Sequence, residues 1–351
     1  MSAACQQLDG AARWAMSLSD VSRLLSDAQW LTHRYDPEQD AFQYRHVQRS
    51  QHRSVPFLTD ECLGAEPVPV VVGSSEAVAL APPPAPIHFI FHSAYCASTM
   101  LLRALDVSGS AMGLSEPVIL NDLIGWQRRG ADPGRLGAVL DGVLGQLARP
   151  FAPGEAVVVK PSNVFNGLAM RTMALRPESR AVLLYSPLPE FLLSVARKGL
   201  WCRLWTRELL EGLLQDGLVD LGFEPRDYFR QSDLQVAAVG WLAQQALFGQ
   251  LARQFGQARI AALDSETLTK DPSAAVAKAA RHLGLPAASY EAHPAYARNS
   301  KSGKNFAAGE RQDDQTRTRQ AHGDEIDMVV SWANAVAQNA GVATALPNPL
   351  R

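Results

Sequence analysis

The sequence predicts a three-layer α/β domain, with helices on both faces of a central, mostly parallel sheet. Two observations carry this. Four apolar runs of strand length, residues 87–91, 156–159, 181–185 and 259–263, are continuous where a half-exposed strand would alternate. Continuous hydrophobicity is the mark of strands buried on both faces. Helical patterns lie between these runs, which is the order of a three-layer α/β domain. A third observation divides the chain. The stretch Ala81-Pro82-Pro83-Pro84-Ala85-Pro86 lacks the N–H groups a helix or sheet needs, so it reads as an extended linker. Residues 1–86 are then an N-terminal appendage ending in that linker, and residues 87–351 the α/β domain.

In the appendage, Ser19-Asp20 is placed to cap a helix in which Val21, Leu24, Leu25, Ala28 and Leu31 recur at helical spacing. Phe42 to Arg45 alternates as a strand does. After the linker, residues 87–91 read as the first strand of the domain, with an amphipathic helix beginning near Thr99. Asp132-Pro133 starts another helix by N-cap and first-turn logic, with Leu136, Val139, Leu140, Val143, Leu144 and Leu147 on one face. A long helix is expected from Asp233 to about Phe255, and a last one over residues 324–339, where Ile326, Val329, Val330 and Trp332 supply apolar surface. Trp201 and Trp205 read as core packing on a helix, with the wall of an acceptor pocket as the alternative.

Composition bounds the function. The 351 residues hold 33 Lys and Arg against 35 Asp and Glu, and 47% are hydrophobic. That is too apolar for a disordered chain. It also lacks the basic excess of a general nucleic-acid binder, while leaving room for one small anion pocket. Cys5, Cys62, Cys96 and Cys202 show no CxxC pair or disulfide spacing. The start has no basic segment followed by an apolar one. No apolar run approaches the roughly 18 residues of a membrane span. The expectation is a soluble protein in a reducing, cytoplasmic setting, with no membrane partner.

The segment over residues 87–105, IHFIFHSAYCASTMLLRAL, carries the chemistry. A strand ends, small and hydroxyl residues follow, and a helix begins. The free N–H groups and positive dipole end of such a helix favour a phosphate. Ser93, Ser98 and Thr99 add hydroxyl donors. The glycines and lysine of a Walker A loop are absent, which counts against a kinase-like enzyme. The alternative is a plain tight turn with Ser98 as N-cap.

With these residues the chain resembles the sulfotransferases that use 3′-phosphoadenosine 5′-phosphosulfate, a P-loop NTPase-like fold. Cys96-Ala97-Ser98-Thr99-Met100-Leu101 resembles the family's SGTTLL, and Leu114-Ser115-Glu116-Pro117 falls where its acidic residue falls. Val159-Lys160-Pro161-Ser162-Asn163 resembles the second-strand lysine motif. Residues 180–199, RAVLLYSPLPEFLLSVARKG, resemble the segment that grips the 3′-phosphate. LDSETLTKDP over 263–272, followed by HLGLP ending at Pro286, resembles the family's last motif. The match runs over residues 87–310 through ordered motifs.

The resemblance implies a donor site at Ser93, Tyr95, Cys96, Ala97, Ser98 and Thr99, with Ser194 at the 3′-phosphate. It implies catalytic roles for Lys160 at the leaving phosphate and Glu116 as general base. Each has an alternative: a snorkelling Lys160, a helix-capping Glu116 ahead of Pro117 at a helix N1, and a Ser194 bonded back to a carbonyl. Ser162 stands where cytosolic relatives place a catalytic His. Tyr95 and Tyr185 stand where the family has cations, and Ala97 where it has glycine. Arg103, Arg197, Lys198 and the basic loop with Lys301 and Lys304 are the candidates to compensate. Otherwise the chain binds another ligand without catalysis. No metal is expected: His88, His92 and Cys96 share a four-residue spacing, but on a strand leading into a loop they diverge. The acceptor, a small molecule or peptide, is not specified by these motifs.

Overall fold

The computed structural model describes residues 17–65, 67–297 and 310–350, for 310–315 the backbone alone. Ahead of the Pro-rich stretch lie α1 (Leu18–Ser26), β1 (Trp30–Asp36), β2 (Ala41–His46), α2 (Arg49–Ser54), α3 (Asp60–Leu63), β3 (Val70–Gly73) and α4 (Ser74–Ala79). The three strands form an antiparallel sheet in the order β1-β2-β3. Ser17 caps α1 by accepting from the Asp20 N–H, in place of the cap expected at Ser19-Asp20. The helix expected to continue through Ala28 and Leu31 stops at Ser26, and Leu31 lies in β1. The reason is Asp27, whose carboxylate accepts from the Gln29 N–H at 2.9 Å and whose carbonyl accepts from Trp30, so the chain turns there.

The domain then runs β4 (Ile87–His92), α5 (Ser98–Leu105), β5 (Ala111–Ser115), α6 (Val118–Arg128), α7 (Pro133–Leu147), β6 (Ala156–Lys160), α8 (Ala169–Leu175) and β7 (Ala181–Tyr185). It continues with α9 (Leu188–Arg197), α10 (Leu200–Gln215), α11 (Asp233–Phe255), β8 (Ile260–Asp264), α12 (Ser265–Lys270), α13 (Pro272–Leu283) and α14 (Glu310–Ala340). The sheet order is β5-β6-β4-β7-β8, with every pairing parallel. On one face α5 and α13 pack with Ile90, Val158 and Val182; on the other α6, α7 and α11 pack with Phe89, Phe91 and Val157. This is the expected three-layer α/β arrangement. All six apolar residues expected on α7 are buried, and Asp132 caps it by accepting from Arg135 N–H at 2.8 Å. Among the described residues no helix is long and apolar enough to cross a membrane.

Two boundaries differ from expectation. The last helix extends over Glu310–Ala340, well before Asp324. Pro117, expected as a helix N1, is the N-cap of α6, so Glu116 lies outside the helix and does not cap it.

The arm shares one continuous apolar core with the sheet, through Tyr35, Phe42 and Tyr44. The buried Arg149 guanidinium ties the two parts by donating to the Leu25 and Trp30 carbonyls at 2.8 and 2.7 Å. A buried charge is tolerated only with such partners. Residues 55–58 form a strap across the end of β5: Leu58 N–H donates to the Ser115 carbonyl (2.7 Å), and Val118 N–H to the Leu58 carbonyl (3.1 Å).

Burial sets an acid limit on this fold. His52 and His88 are buried, and desolvation, with Arg49 near the first and Arg180 near the second, brings each down to about 4. An unfolded histidine protonates near pH 6.5, so below that the unfolded chain binds more protons than the folded one. Stability therefore falls as pH drops from 6.5 to 4, by about 3 kcal/mol per histidine. Among the described residues neither His52 ring nitrogen has a hydrogen-bond partner, and the ring packs edge-on against Phe151. His52→Phe should therefore remove roughly half of this loss. Urea unfolding across that pH range is the check; an unchanged slope in the variant would refute it.

Candidate functional site

Because the sheet is parallel, its five strands end at one edge: His92, Ser115, Lys160, Tyr185 and Asp264 are their last residues. Ligands of open α/β sheets bind beyond that edge. Four residues there adopt left-handed backbone conformations without being glycine: Ala94 (φ 71°), Tyr95 (φ 52°), Ala97 (φ 62°) and Glu116 (φ 48°). Such geometry costs about 1–3 kcal/mol per residue and persists only where the surroundings enforce it.

The surroundings are visible around the loop from Ser93 to Ala97. His92 Nδ1 accepts from the Ala94 N–H at 3.2 Å, which leaves Nε2 to donate to the Pro161 carbonyl at 3.0 Å. The side-chain amide of Asn166 donates to the His92 carbonyl (3.1 Å) and to Gln244 (3.0 Å). Ser93 Oγ accepts from the Ser186 N–H at 3.4 Å. The loop is thus sewn to β6, β7 and α11. Cys96 is fully buried inside it. Burial pushes its thiol up to about 11, against the opposing pull of Lys160 and of hydrogen bonds from Ser98 and Ser93. Ser98 and Thr99 occupy the buried first turn of α5. The helix N-cap expected at Ser98 is Ala97, with no side-chain cap.

Lys160 and Glu116 come together. The fully buried Lys160 ammonium donates to Glu116 Oε1. Glu116 Oε1 also lies 3.9 Å from His92 Nε2, and its side chain keeps 19% of its exposure. The Glu116 backbone N–H donates to the Lys160 carbonyl at 2.7 Å, so main chain and side chain join the two strand ends. The face of Phe57, from the arm, lies 5.2 Å from Lys160 Nζ. Lys160 is therefore no snorkelling surface lysine, and Glu116 no helix cap. Ser162 donates to Asn121 Oδ1 at 2.7 Å.

The remaining candidates divide. Tyr95 turns away from the loop interior. Its hydroxyl meets Cys202 Sγ at 2.9 Å, its ring packs edge-on against Trp205, and Lys198 Nζ stands 5.3 Å from the ring centre. Burial, reinforced by Cys202, pushes the Tyr95 phenol well above its usual range. Trp205 is half-buried as core packing, whereas Trp201, expected beside it in the core, is 65% exposed. Ser194 is half-buried within α9. Arg103 points to the arm, donating to the Val55 carbonyl at 3.0 Å, and Arg197 is exposed at the end of α9. Lys301 and Lys304 lie outside the described residues. His92, Asn166 and Phe57, which shape the site, carry no motif of their own; only the strand-end position of His92 was a signal. Among the described residues no three His, Cys, Asp or Glu side chains converge as metal ligands.

No protein-family model matches the chain, and no curated protein matches its sequence. Solved structures align with it, two sulfotransferase domains among them. One is the sulfotransferase domain from the curacin biosynthetic pathway, at 17% identity over 76% of this chain and 94% of that one, with a TM-score of 0.38. The other is the sulfotransferase domain from the Synechococcus PCC 7002 olefin synthase, at 13% identity over 69% of this chain and 95% of that one, with a TM-score of 0.40. In the course of its chain, the protein is similar to these two sulfotransferase domains.

Proposed function

We propose that the protein is a transferase that moves a sulfuryl group from 3′-phosphoadenosine 5′-phosphosulfate to a hydroxyl or amine of a small-molecule or peptide acceptor. The observation that carries this reading is the Lys160–Glu116 pair at adjacent strand ends, beside a strained loop that opens into a helix N-terminus. In it the loop over 93–99 takes the 5′-phosphate end of the donor, while Ser194, Lys198, Lys301 and Lys304 serve the 3′-phosphate. The acceptor oxygen attacks sulfur as the bond from sulfur to the bridging phosphate oxygen breaks. The electron pair of that bond leaves with the phosphate, which Lys160 neutralises. The acceptor proton passes to the Glu116 carboxylate. The products are the sulfated acceptor and adenosine 3′,5′-bisphosphate. As in phosphoryl transfer, positioning and charge do most of the work.

A second reading, a binding protein without transfer, has one observation in its favour. Tyr95 stands at a cation position and its ring is packed away under Lys198. A ligand bound by the native state alone raises stability, by about 2.7 kcal/mol at a hundredfold excess over Kd. Adenosine 3′,5′-bisphosphate should therefore raise the melting temperature by several degrees, and ATP should not. Stabilisation by ATP alone would point to a kinase-like transferase. With neither nucleotide effective, the donor assignment falls.

A further inference from the structure

Two partners of different kinds meet the fully buried Lys160 ammonium. The Glu116 carboxylate accepts a hydrogen bond from it, and the face of Phe57 lies 5.2 Å from its Nζ. A carboxylate and an incoming phosphate compete for the same donor, so one leaves as the other binds. An aromatic face attracts a cation through its quadrupole and occupies none of the N–H groups a phosphate needs. The ring therefore has no reason to leave. It also keeps water from that side of the ammonium, and charge interactions are stronger where water is excluded.

The strap that carries this ring is anchored on both sides of it. Arg103 of α5 donates to the Val55 carbonyl at 3.0 Å, and Ser115 Oγ of β5 donates to the Pro56 carbonyl at 2.7 Å. Leu58 is fully buried, and its main chain pairs with Ser115 and Val118. Two residues further on, the Asp60 carboxylate accepts from His33 Nε2 at 2.7 Å and from Arg34. Arg34 also grips Asp122 of α6, at 2.8 and 2.9 Å. Phe57 sits half-buried between these anchors. Contacts from β1, β5, α5 and α6 thus fix the backbone before and after one side chain, and that side chain covers Lys160.

We infer that Phe57 is a positioning residue for sulfuryl transfer: its ring confines the Lys160 ammonium at the end of β6 while the Glu116 carboxylate gives way to the phosphate of the donor. The arm is then part of the transfer site as well as a cover for the sheet. The service to the phosphate rests on the transferase reading above; the confinement of Lys160 by the ring does not.

Phe57→Leu keeps apolar bulk and loses the ring, whereas Phe57→Tyr keeps the face. The chain has six lysines, so isotopic labelling of lysine gives few side-chain NMR signals, and Lys160→Met identifies the one from Lys160. Protons over an aromatic face are shifted upfield by its ring current. The Lys160 ε-methylene signal should therefore lie upfield in the wild-type and Phe57→Tyr proteins, and return to the ordinary lysine position in Phe57→Leu. Sulfate release from the donor should fall about tenfold in Phe57→Leu, the worth of a desolvated cation–π contact, and affinity for adenosine 3′,5′-bisphosphate should fall with it. Phe57→Tyr should recover both. An unshifted wild-type signal would overturn the proposal, and that reading needs no Phe57 variant to fold. Equal losses in the leucine and tyrosine variants would overturn it too, leaving the strap a structural cover. A wild-type protein indifferent to the bisphosphate sinks the donor assignment instead, and an upfield Lys160 signal that Phe57→Leu abolishes would still uphold the confinement.

Discussion

Lys160→Met should lower turnover by about 10²–10³-fold, the usual loss when one preorganised donor is withdrawn from developing charge. Lys160 is fully buried, and its ammonium is directed at Glu116 and the face of Phe57. No other described lysine or arginine is shown at that strand end, so a neighbour has little scope to take over. Affinity for adenosine 3′,5′-bisphosphate should fall by about tenfold or more, because a charged hydrogen bond to phosphate is lost. Methionine matches the length and apolar stem of lysine, so the core around β6 is retained. What changes is the charge. Glu116 then lacks its ammonium, yet its carboxylate still reaches solvent, and the stability loss should stay below the roughly 3–5 kcal/mol of a fully buried broken pair. Urea unfolding measures that cost, and sulfate release from the donor measures turnover. Unchanged bisphosphate affinity would mean that Lys160 serves only to hold Glu116.

Much of the scaffold was legible because burial on both faces leaves a plain trace. The apolar runs ending at Leu184-Tyr185 and Val159-Lys160 became β7 and β6, and the apolar stripe from Leu136 to Leu147 became the inner face of α7. Strand β5 went unseen. Its five residues, AMGLS, include Gly113 and two other small residues, and they form an edge paired only with β6. Gly113 is there because a side chain would press on Asp106 Cβ and Leu102 Cγ of the α5 segment, at 3.2 and 3.3 Å. That requirement comes from packing, with no local propensity to announce it. Leu31 misled for the opposite reason: an apolar residue at helical spacing is equally at home on the inner face of a strand.

The site shows the same division. Glu116 and Lys160 each stood out within a motif, but nothing in the sequence states that residues 44 positions apart share one hydrogen bond. The loop conformation was hidden more deeply. Left-handed backbone is usually announced by glycine, and here alanine and tyrosine adopt it. Tertiary ties supply what glycine would have provided: His92 holding Ala94, and Asn166 holding His92. The arm's contribution through Phe57 depends on the strap at residues 55–58 zipping onto Ser115 and Val118, contacts of long sequence separation.

Glu116→Gln is expected to act in two opposite directions. Turnover should fall by about 10²–10⁴-fold, since a carboxylate that accepts the acceptor's proton as the bond to sulfur forms is replaced by an amide that cannot. Affinity for adenosine 3′,5′-bisphosphate should rise. In the structure the Glu116 carboxylate occupies the Lys160 ammonium, so an incoming phosphate must displace it. The amide of glutamine still accepts a hydrogen bond but carries no charge, and it gives way more readily. The left-handed backbone at Glu116, held by its N–H to the Lys160 carbonyl and followed by Pro117, keeps the side chain in place in either variant. Under the proposed function, the same competition would make donor binding the event that frees Glu116 to act as a base. Calorimetric titration with the bisphosphate and single-turnover sulfate release from the donor give the two readings on one preparation. Lower turnover with tighter binding supports the assignment of Glu116 as base. Full turnover would make Glu116 only the partner that neutralises Lys160 in the empty site. Weaker binding would show that the carboxylate holds Lys160 in place for the phosphate instead of competing with it.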